Sequence, residues 1–215
     1  MIKIKGLYCI TAGTTREIPD SQTVEHACAG GADVIQLRAK NLNAMQFMKA
    51  ARDIREITSR YNVPLIINDR LDIALMCGAD GMHVGQDDMP PAEVKSFLAS
   101  MKVKDFIVGI STHSFEQAME AERQGADYIS VGPVFKTPTK PEYGQVGVEL
   151  IKKVKSKVKI PVVAIGGIDE TNINLVLDAG PDCVAVVRAV CGSPNVTGSA
   201  ARLKKYITDF RVGKE

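Results

Sequence analysis

A Gly-Ala-Asp or Gly-Pro-Asp tripeptide stands at four places in this 215-residue chain: Gly31-Ala32-Asp33, Gly78-Ala79-Asp80, Gly125-Ala126-Asp127 and Gly180-Pro181-Asp182. The copies stand 47, 47 and 55 residues apart. Each leads directly into a short apolar run, and each interval has room for two strand–helix units. The glycine can take the left-handed conformation that ends a helix, and the next two residues turn the chain into a strand. A chain punctuated this way is built from quarters, and each quarter reads βαβα.

The apolar runs support that reading. They predict strands near Leu7–Thr11, Val34–Arg38, Leu65–Asn68, Gly81–Val84, Phe106–Ile110, Tyr128–Val131, Pro161–Ile165 and Cys183–Val187. Amphipathic segments lie between them, such as Ala44–Tyr61, where Phe47, Met48, Ala51, Ile54 and Ile57 fall at core spacing. Strict alternation of strand and helix implies a parallel sheet. Four quarters give eight strands, so the expected fold is α/β, a single (β/α)8 TIM barrel over residues 1–215. An open doubly wound sheet is the alternative. A feature confined to even-numbered strands suits the barrel, whose interior layers are filled by alternate strands.

Composition narrows the function classes. Formal net charge is +2 and basic residues are dispersed. The densest run, Lys152 to Lys159, has Ile151, Val154 and Val158 between its lysines and reads as a solvated helix face. With no Trp and 5% aromatic residues, stacking platforms for bases are scarce, so no nucleic-acid partner is expected. No apolar run approaches the roughly eighteen residues of a membrane span. The N-terminal Met-Ile-Lys-Ile-Lys-Gly has no signal-peptide character. The five cysteines form no Cys-x-x-Cys pair and read as buried or free thiols of a reducing compartment. A cytoplasmic location follows as the expectation.

In such a barrel, chemistry collects at the C-terminal ends of the strands. After the second strand, alternation places Gln36, Arg38 and Lys40 on one side. A buried row of amide, guanidinium and ammonium suits a diphosphate, with a structural ion pair to a nearby Asp as the alternative. After the third strand come Asn68 and Asp69, and Asp69 is either functional or a helix cap. After the fourth, Asp88 lies nineteen residues beyond Asp69. Carboxylates on adjacent strand ends, beside a diphosphate site, make a Mg2+ site plausible. His83, inside the strand, reads as a packed layer residue, and Asp87 as a cap or solvent residue. The fifth strand ends in Ser111-Thr112-His113, able either to donate into the mouth or to cap the next helix. No nucleophile–base–orienter triad is evident.

After the sixth strand, Gly132-Pro133 breaks the ladder and Thr137, Thr139 and Lys140 follow, with Pro138 between. These suit a bound phosphate, with a solvated loop as the alternative. The segment from Thr137 to Gly147 is long enough to serve as a closing lid. Gly166-Gly167 after the seventh strand reads as opening a helix onto an anion, and Val187-Arg188 ends the eighth. Loops after strands seven and eight commonly form a phosphate cup. Two anion sites therefore emerge, one for a diphosphate and one for a monophosphate.

The series Gln36-Leu-Arg-Ala-Lys40, Asn68-Asp69, Gly85-Gln-Asp-Asp88, Ser111-Thr-His113, Gly132-Pro-Val-Phe-Lys-Thr137-Pro-Thr139-Lys140 and Ile165-Gly-Gly167 closely resembles the thiamine phosphate synthase family. The resemblance runs from about Leu7 to Arg188 with the motifs in the family's order. It implies a barrel joining hydroxymethylpyrimidine diphosphate to hydroxyethylthiazole phosphate, with thiamine phosphate and diphosphate as products. By that resemblance Gln36, Arg38, Lys40, Asn68 and Ser111 hold the pyrimidine substrate. Asp69 and Asp88 bind magnesium. Thr137, Thr139, Gly167 and the backbone of Val187 and Arg188 meet the thiazole phosphate, while Lys140 reaches the diphosphate. Arg38, Lys40, Lys140 and Ser111 carry the catalytic roles. The family's chemistry is a dissociative substitution, in which no group needs deprotonating. Many relatives place a serine where this chain has Arg188.

Rival readings are a thiazole tautomerase on the same barrel, a sugar-phosphate epimerase or aldolase, and a non-catalytic phosphate-ligand sensor. The first tends to lack the diphosphate and metal residues that this chain keeps. The expected partners are small-molecule substrates, with a homo-oligomer possible.

Overall fold

The computed structural model describes residues 4–11, 20–137 and 144–213. Eight strands form a closed, all-parallel barrel in chain order: β1 (Gly6–Ile10), β2 (Val34–Leu37), β3 (Leu65–Asn68), β4 (Gly81–Val84), β5 (Ile107–Thr112), β6 (Tyr128–Val131), β7 (Val162–Ile165) and β8 (Cys183–Val186). β8 pairs back onto β1 and closes the ring. The helices α1 (Asp20–Ala29), α2 (Ala44–Arg60), α3 (Leu71–Met76), α4 (Pro91–Ser100), α5 (Phe115–Arg123), α6 (Gly147–Lys155), α7 (Ile173–Asp178) and α8 (Val196–Val212) alternate with them. The (β/α)8 barrel expected from the repeat is therefore the fold.

Strand alternation sorts the buried side chains into two cores. Leu7, Cys9, Ile35, Leu37, Leu65 and Ile67 face outward and pack under the helices. Tyr8, Ile10, Val34, Ile66, Ile107, Tyr128, Val163 and Cys183 fill the barrel interior. Each fully buried Ile or Leu contributes about 1.5–3 kcal/mol. Near the C-terminal end the interior fill turns polar, with Gln36, His83 and Ser130 buried.

The repeat has a further purpose at the opposite rim. Gly31, Gly78, Gly125 and Gly180 all have φ between 67° and 91°, as a left-handed helix stop requires. The aspartate that follows then links two strands. Asp33 receives the Leu7 N–H on its Oδ2 at 2.7 Å and returns its own N–H to the Leu7 carbonyl at 2.8 Å. Asp80 does the same with Leu65, Asp127 with Val108 and Asp182 with Val162. Each carboxylate also meets a cation on a helix, which for Asp80, Asp127 and Asp182 is the helix leading into the partner strand and for Asp33 is the last helix, α8. Lys204 of α8 pairs with Asp33, Arg55 of α2 with Asp80, Lys95 of α4 with Asp127, and Lys155 of α6 with Asp182. One side chain thus ties a helix and two strands together four times around the ring.

Several local expectations are corrected. The lysine run is not wholly a solvated face. α6 stops at Lys155, which is the Asp182 partner, and Lys153 lies over the Phe115 ring at 4.3 Å. β5 extends to Thr112, so Ser111 sits within the strand and not beyond it. The cap of α5 is Ser114, whose side chain accepts from the Gln117 N–H, and Glu116 lies in the first turn. Asp87 is exposed, and α4 begins after Pro90 without a side-chain cap. All five cysteines are buried. Among the described residues no helix is long and apolar enough to cross a membrane.

Candidate active site

A cavity of about 470 Å³ opens at the C-terminal end of the strands. Gln36 and Arg38 enter it from β2 and the turn after it, Asn68 from β3 and Ser111 from β5. Thr137, Gly167, Val187 and Arg188 line it from the loops after β6, β7 and β8. Sequence-predicted residues from both anion sites thus share one cavity. Thr139 and Lys140 lie outside the described residues, as does most of the segment read as a lid. Gly147, its last residue, begins α6.

Asp69, Asp88 and Lys40 gather beside Arg38. Burial raises the Asp69 carboxyl above the usual carboxylate range, and the Asp88 carboxylate raises it further, while Lys40 and Arg38 pull it down. Four residues from three strand ends are therefore within electrostatic reach of one another. Asp69 sits at φ 63°, a left-handed conformation that Asp tolerates better than most residues. Its N–H donates to the His83 carbonyl at 2.9 Å, continuing the β3–β4 ladder one step past the strand. Asp69 does not cap α3, whose cap position is Arg70 with no side-chain bond. Asp88 is held by the turn that precedes it, because the Gly85 N–H donates to its Oδ2 at 2.7 Å. The Gln86 amide donates to the Ser111 carbonyl at 2.6 Å and ties that turn to β5.

The donor chemistry of this corner fits Mg2+. Two opposed carboxylates repel, and a divalent cation removes that repulsion. Among the described residues no group of three or more His, Cys, Asp and Glu side chains converges on one point. The Asp69 and Asp88 pair fits magnesium, which binds through one or two carboxylates and completes its octahedron with phosphate oxygens and water.

Across the cavity, Gly167 has φ 67°, and a Cβ there would stand 2.8 Å from the Lys136 carbonyl oxygen. Only glycine allows the two loops to close so tightly. The expectation that the Gly-Gly pair opens a helix is not met. Ile168 to Asn172 intervene before α7, and the Asn172 amide donates to the Gly167 carbonyl at 2.9 Å. After β8 the chain instead makes a short helical turn, with the Cys191 and Gly192 N–H groups bonded to the Val187 and Arg188 carbonyls. Arg188 is exposed at the cavity edge.

Beneath the cavity lies a chain of hydrogen bonds not foreseen from the sequence. The Gln36 amide nitrogen donates to the Tyr8 hydroxyl at 2.7 Å, and the Tyr8 and Tyr128 hydroxyls lie 3.0 Å apart. Tyr128 meets His83 Nδ1 at 2.9 Å, and His83 Nε2 meets Ser111 Oγ at 3.0 Å. The rings of His83 and Tyr128 stack with centroids 5.4 Å apart. Burial pushes both tyrosine hydroxyls well above their ordinary range, so they stay protonated. His83 is the packed layer residue expected, but it also reaches Ser111. That juxtaposition does not make a hydrolytic triad, because the third member is a neutral phenol and not a carboxylate that could stabilise an imidazolium. The available signal was strand parity, since residues 8, 36, 83, 111 and 128 all point inward, but parity alone does not reveal which inward groups touch.

Comparison with known proteins gives a consistent result. A family profile described as thiamine monophosphate synthase matches residues 7–190. The chain is 42% identical over 204 residues to a thiamine-phosphate synthase of Chloroflexus aurantiacus, covering 94% of this chain and 92% of that one. It is 43% identical over 208 residues to a thiamine-phosphate synthase of Methanocella arvoryzae, covering 96% of each. Among solved structures, a thiamine phosphate pyrophosphorylase from Pyrococcus furiosus superposes with TM-score 0.87 at 37% identity, covering 95% of this chain and 96% of that chain.

Proposed function

Since the chain belongs to the thiamine monophosphate synthase family, a family of transferases, we propose that it joins hydroxymethylpyrimidine diphosphate to hydroxyethylthiazole phosphate. The observation that carries this reading is one cavity lined by Arg38 on one side and by Gly167, Val187 and Arg188 on the other. Lys40, Asp69 and Asp88 do not line it themselves but lie within electrostatic reach beside Arg38.

In this reading Gln36, Asn68 and Ser111 hold the pyrimidine ring, and Arg38 and Lys40 bind its diphosphate. Asp69 and Asp88 would hold magnesium, which when bound supplies positive charge to the diphosphate oxygens. The methylene C–O bond breaks and its electron pair leaves with the diphosphate. Arg38 and Lys40 stabilise the charge that builds there, joined by Lys140 from outside the described residues. The cation left on the pyrimidine methylene is captured by the thiazole nitrogen, whose lone pair makes the new C–N bond. No proton changes hands, which agrees with a His83 that meets the Tyr128 phenol on the side away from Ser111. Thr137, Thr139, Gly167 and the backbone at Val187 and Arg188 seat the thiazole phosphate so that the two rings approach each other. Buried thiols suit a reducing, cytoplasmic setting.

The experiment is to supply both substrates and magnesium and follow thiamine phosphate by chromatography, with and without EDTA. Product that disappears with EDTA is the expected outcome. Binding of both substrates without turnover would point to a sensor. Failure to bind the pyrimidine diphosphate would point to a tautomerase.

A further inference from the structure

We propose that the buried chain Gln36–Tyr8–Tyr128–His83–Ser111 is polarised, and that Tyr8, Tyr128 and His83 are positioning residues that turn the Ser111 proton into the cavity. The inference deepens the transferase reading and rests on it only for the identity of the ligand.

The polarity follows from counting protons and lone pairs. The Gln36 amide nitrogen, 2.7 Å from the Tyr8 oxygen, can only donate. Tyr8 therefore accepts there, and its single proton is left for Tyr128 at 3.0 Å. Tyr128 accepts from Tyr8 and passes its own proton to His83 Nδ1 at 2.9 Å. A neutral imidazole that accepts on Nδ1 carries its proton on Nε2. That proton faces Ser111 Oγ at 3.0 Å, and Ser130 Oγ donates to the same atom at 3.4 Å. Both lone pairs of Ser111 are then filled, and its one proton is left to point into the cavity. Complete burial holds the two phenol protons in place.

The consequence is a choice of ligand chemistry set from four hydrogen bonds away. Ser111 presents a donor, so the group that meets it is an acceptor such as a ring nitrogen or a phosphate-ester oxygen. A ligand with a donor at that point leaves two protons facing each other and loses roughly 10-fold or more in affinity. Gln36 lines the same cavity, so one ligand can meet both ends of the chain.

The decisive measurement needs no substrate. With 15N-histidine labelling, only three imidazoles are present to assign. Wild-type His83 is expected as the Nε2–H tautomer. In Gln36→Glu the carboxylate accepts the Tyr8 proton, the chain reverses, and His83 becomes the Nδ1–H tautomer. A wild-type ring protonated on Nδ1 or on both nitrogens would overturn the proposal, as would an unchanged tautomer in a folded Gln36→Glu protein. A kinetic arm uses Tyr128→Phe, which keeps the ring but cuts the chain. The expected result is a KM for the pyrimidine diphosphate raised ~10-fold with the KM for the thiazole phosphate unmoved. Adding Tyr8→Phe to that variant should produce no further rise, because a chain already cut transmits nothing. Equal rises in both KM values, or multiplying losses in the double variant, would overturn it. If no thiamine phosphate forms at all, the transferase reading fails, while the tautomer measurement still decides the polarity.

Discussion

At the N-terminal rim Asp33, Asp80, Asp127 and Asp182 each face a cation and a strand N–H, whereas at the C-terminal rim Asp69 faces another carboxylate, Asp88. The same residue type is used in opposite ways. The lower four have their partners within the protein. The upper pair is mismatched, and burial worsens the mismatch. Arg38 and Lys40 nearby lower its cost. In the proposed reading, the two opposed aspartates are the place where charge from outside enters. Stability is concentrated at the lower rim and function at the upper.

Asp69→Asn tests this difference most severely. Asparagine tolerates the left-handed backbone at φ 63°, so the fold is not disturbed. Turnover should fall by ~10²-fold or more. Thermal stability should hold or rise, because removing one carboxylate relieves the repulsion from Asp88. A melting temperature lowered by several degrees would mean that Asp69 is structural like its counterparts below. Asp80→Ala should do the reverse. Its side chain is 19% exposed and it carries both the Leu65 N–H and Arg55 at 2.5 Å. Its loss should cost about 2–3 kcal/mol in urea denaturation while kcat stays near wild type. A comparable fall in kcat would show that the two rims are not independent.

The fold was largely legible because it depends on periodicity. The four Gly-Ala-Asp and Gly-Pro-Asp copies mark the helix stops, and the apolar runs locate all eight strands to within two residues at either end. The glycine half of each tripeptide was legible from backbone conformation. The aspartate half was not, because its partners Leu7, Leu65, Val108 and Val162 lie 15 to 26 residues away and its cations sit on other helices. At the upper rim, the strand-end residues were legible one at a time. Their sharing of a cavity follows from barrel closure, and the contacts between Tyr8, Tyr128, His83 and Ser111 do not follow from sequence at all. Those are set by how far each inward side chain reaches across the interior, which strand parity leaves open. The Gly166-Gly167 reading failed for a related reason. A glycine pair marks an unusual backbone, but here that backbone serves close packing against Phe135 and Lys136 before any helix begins.

The lower rim itself is graded, which sharpens the comparison. The Asp127 side chain is 39% exposed, twice the value for Asp80, although it makes the same pair of contacts with Val108 and Lys95. Water can replace more of what is lost there, so Asp127→Ala should cost about 1–2 kcal/mol. Equal losses at the two sites would mean that the strand N–H bond dominates and the cation matters little.

The smallest effect separates contact distance from energetic worth. Lys205 and Asp209 on α8 lie 2.6 Å apart, the same separation as Lys155 and Asp182. The α8 pair is 75% and 61% exposed, one turn apart on a solvated face, and no strand N–H depends on its carboxylate. Holding two long side chains together in water gains little Coulomb energy and costs rotamer freedom, so such pairs contribute about 0.3–0.5 kcal/mol. Lys205→Ala should therefore leave the urea midpoint almost unmoved. Lys155→Ala should shift it clearly, because Asp182 would lose its cation while still tied to the Val162 N–H. If the two substitutions cost the same, the lower-rim aspartates act through their backbone bonds alone. The contrast between the rims would then rest on geometry and not on charge.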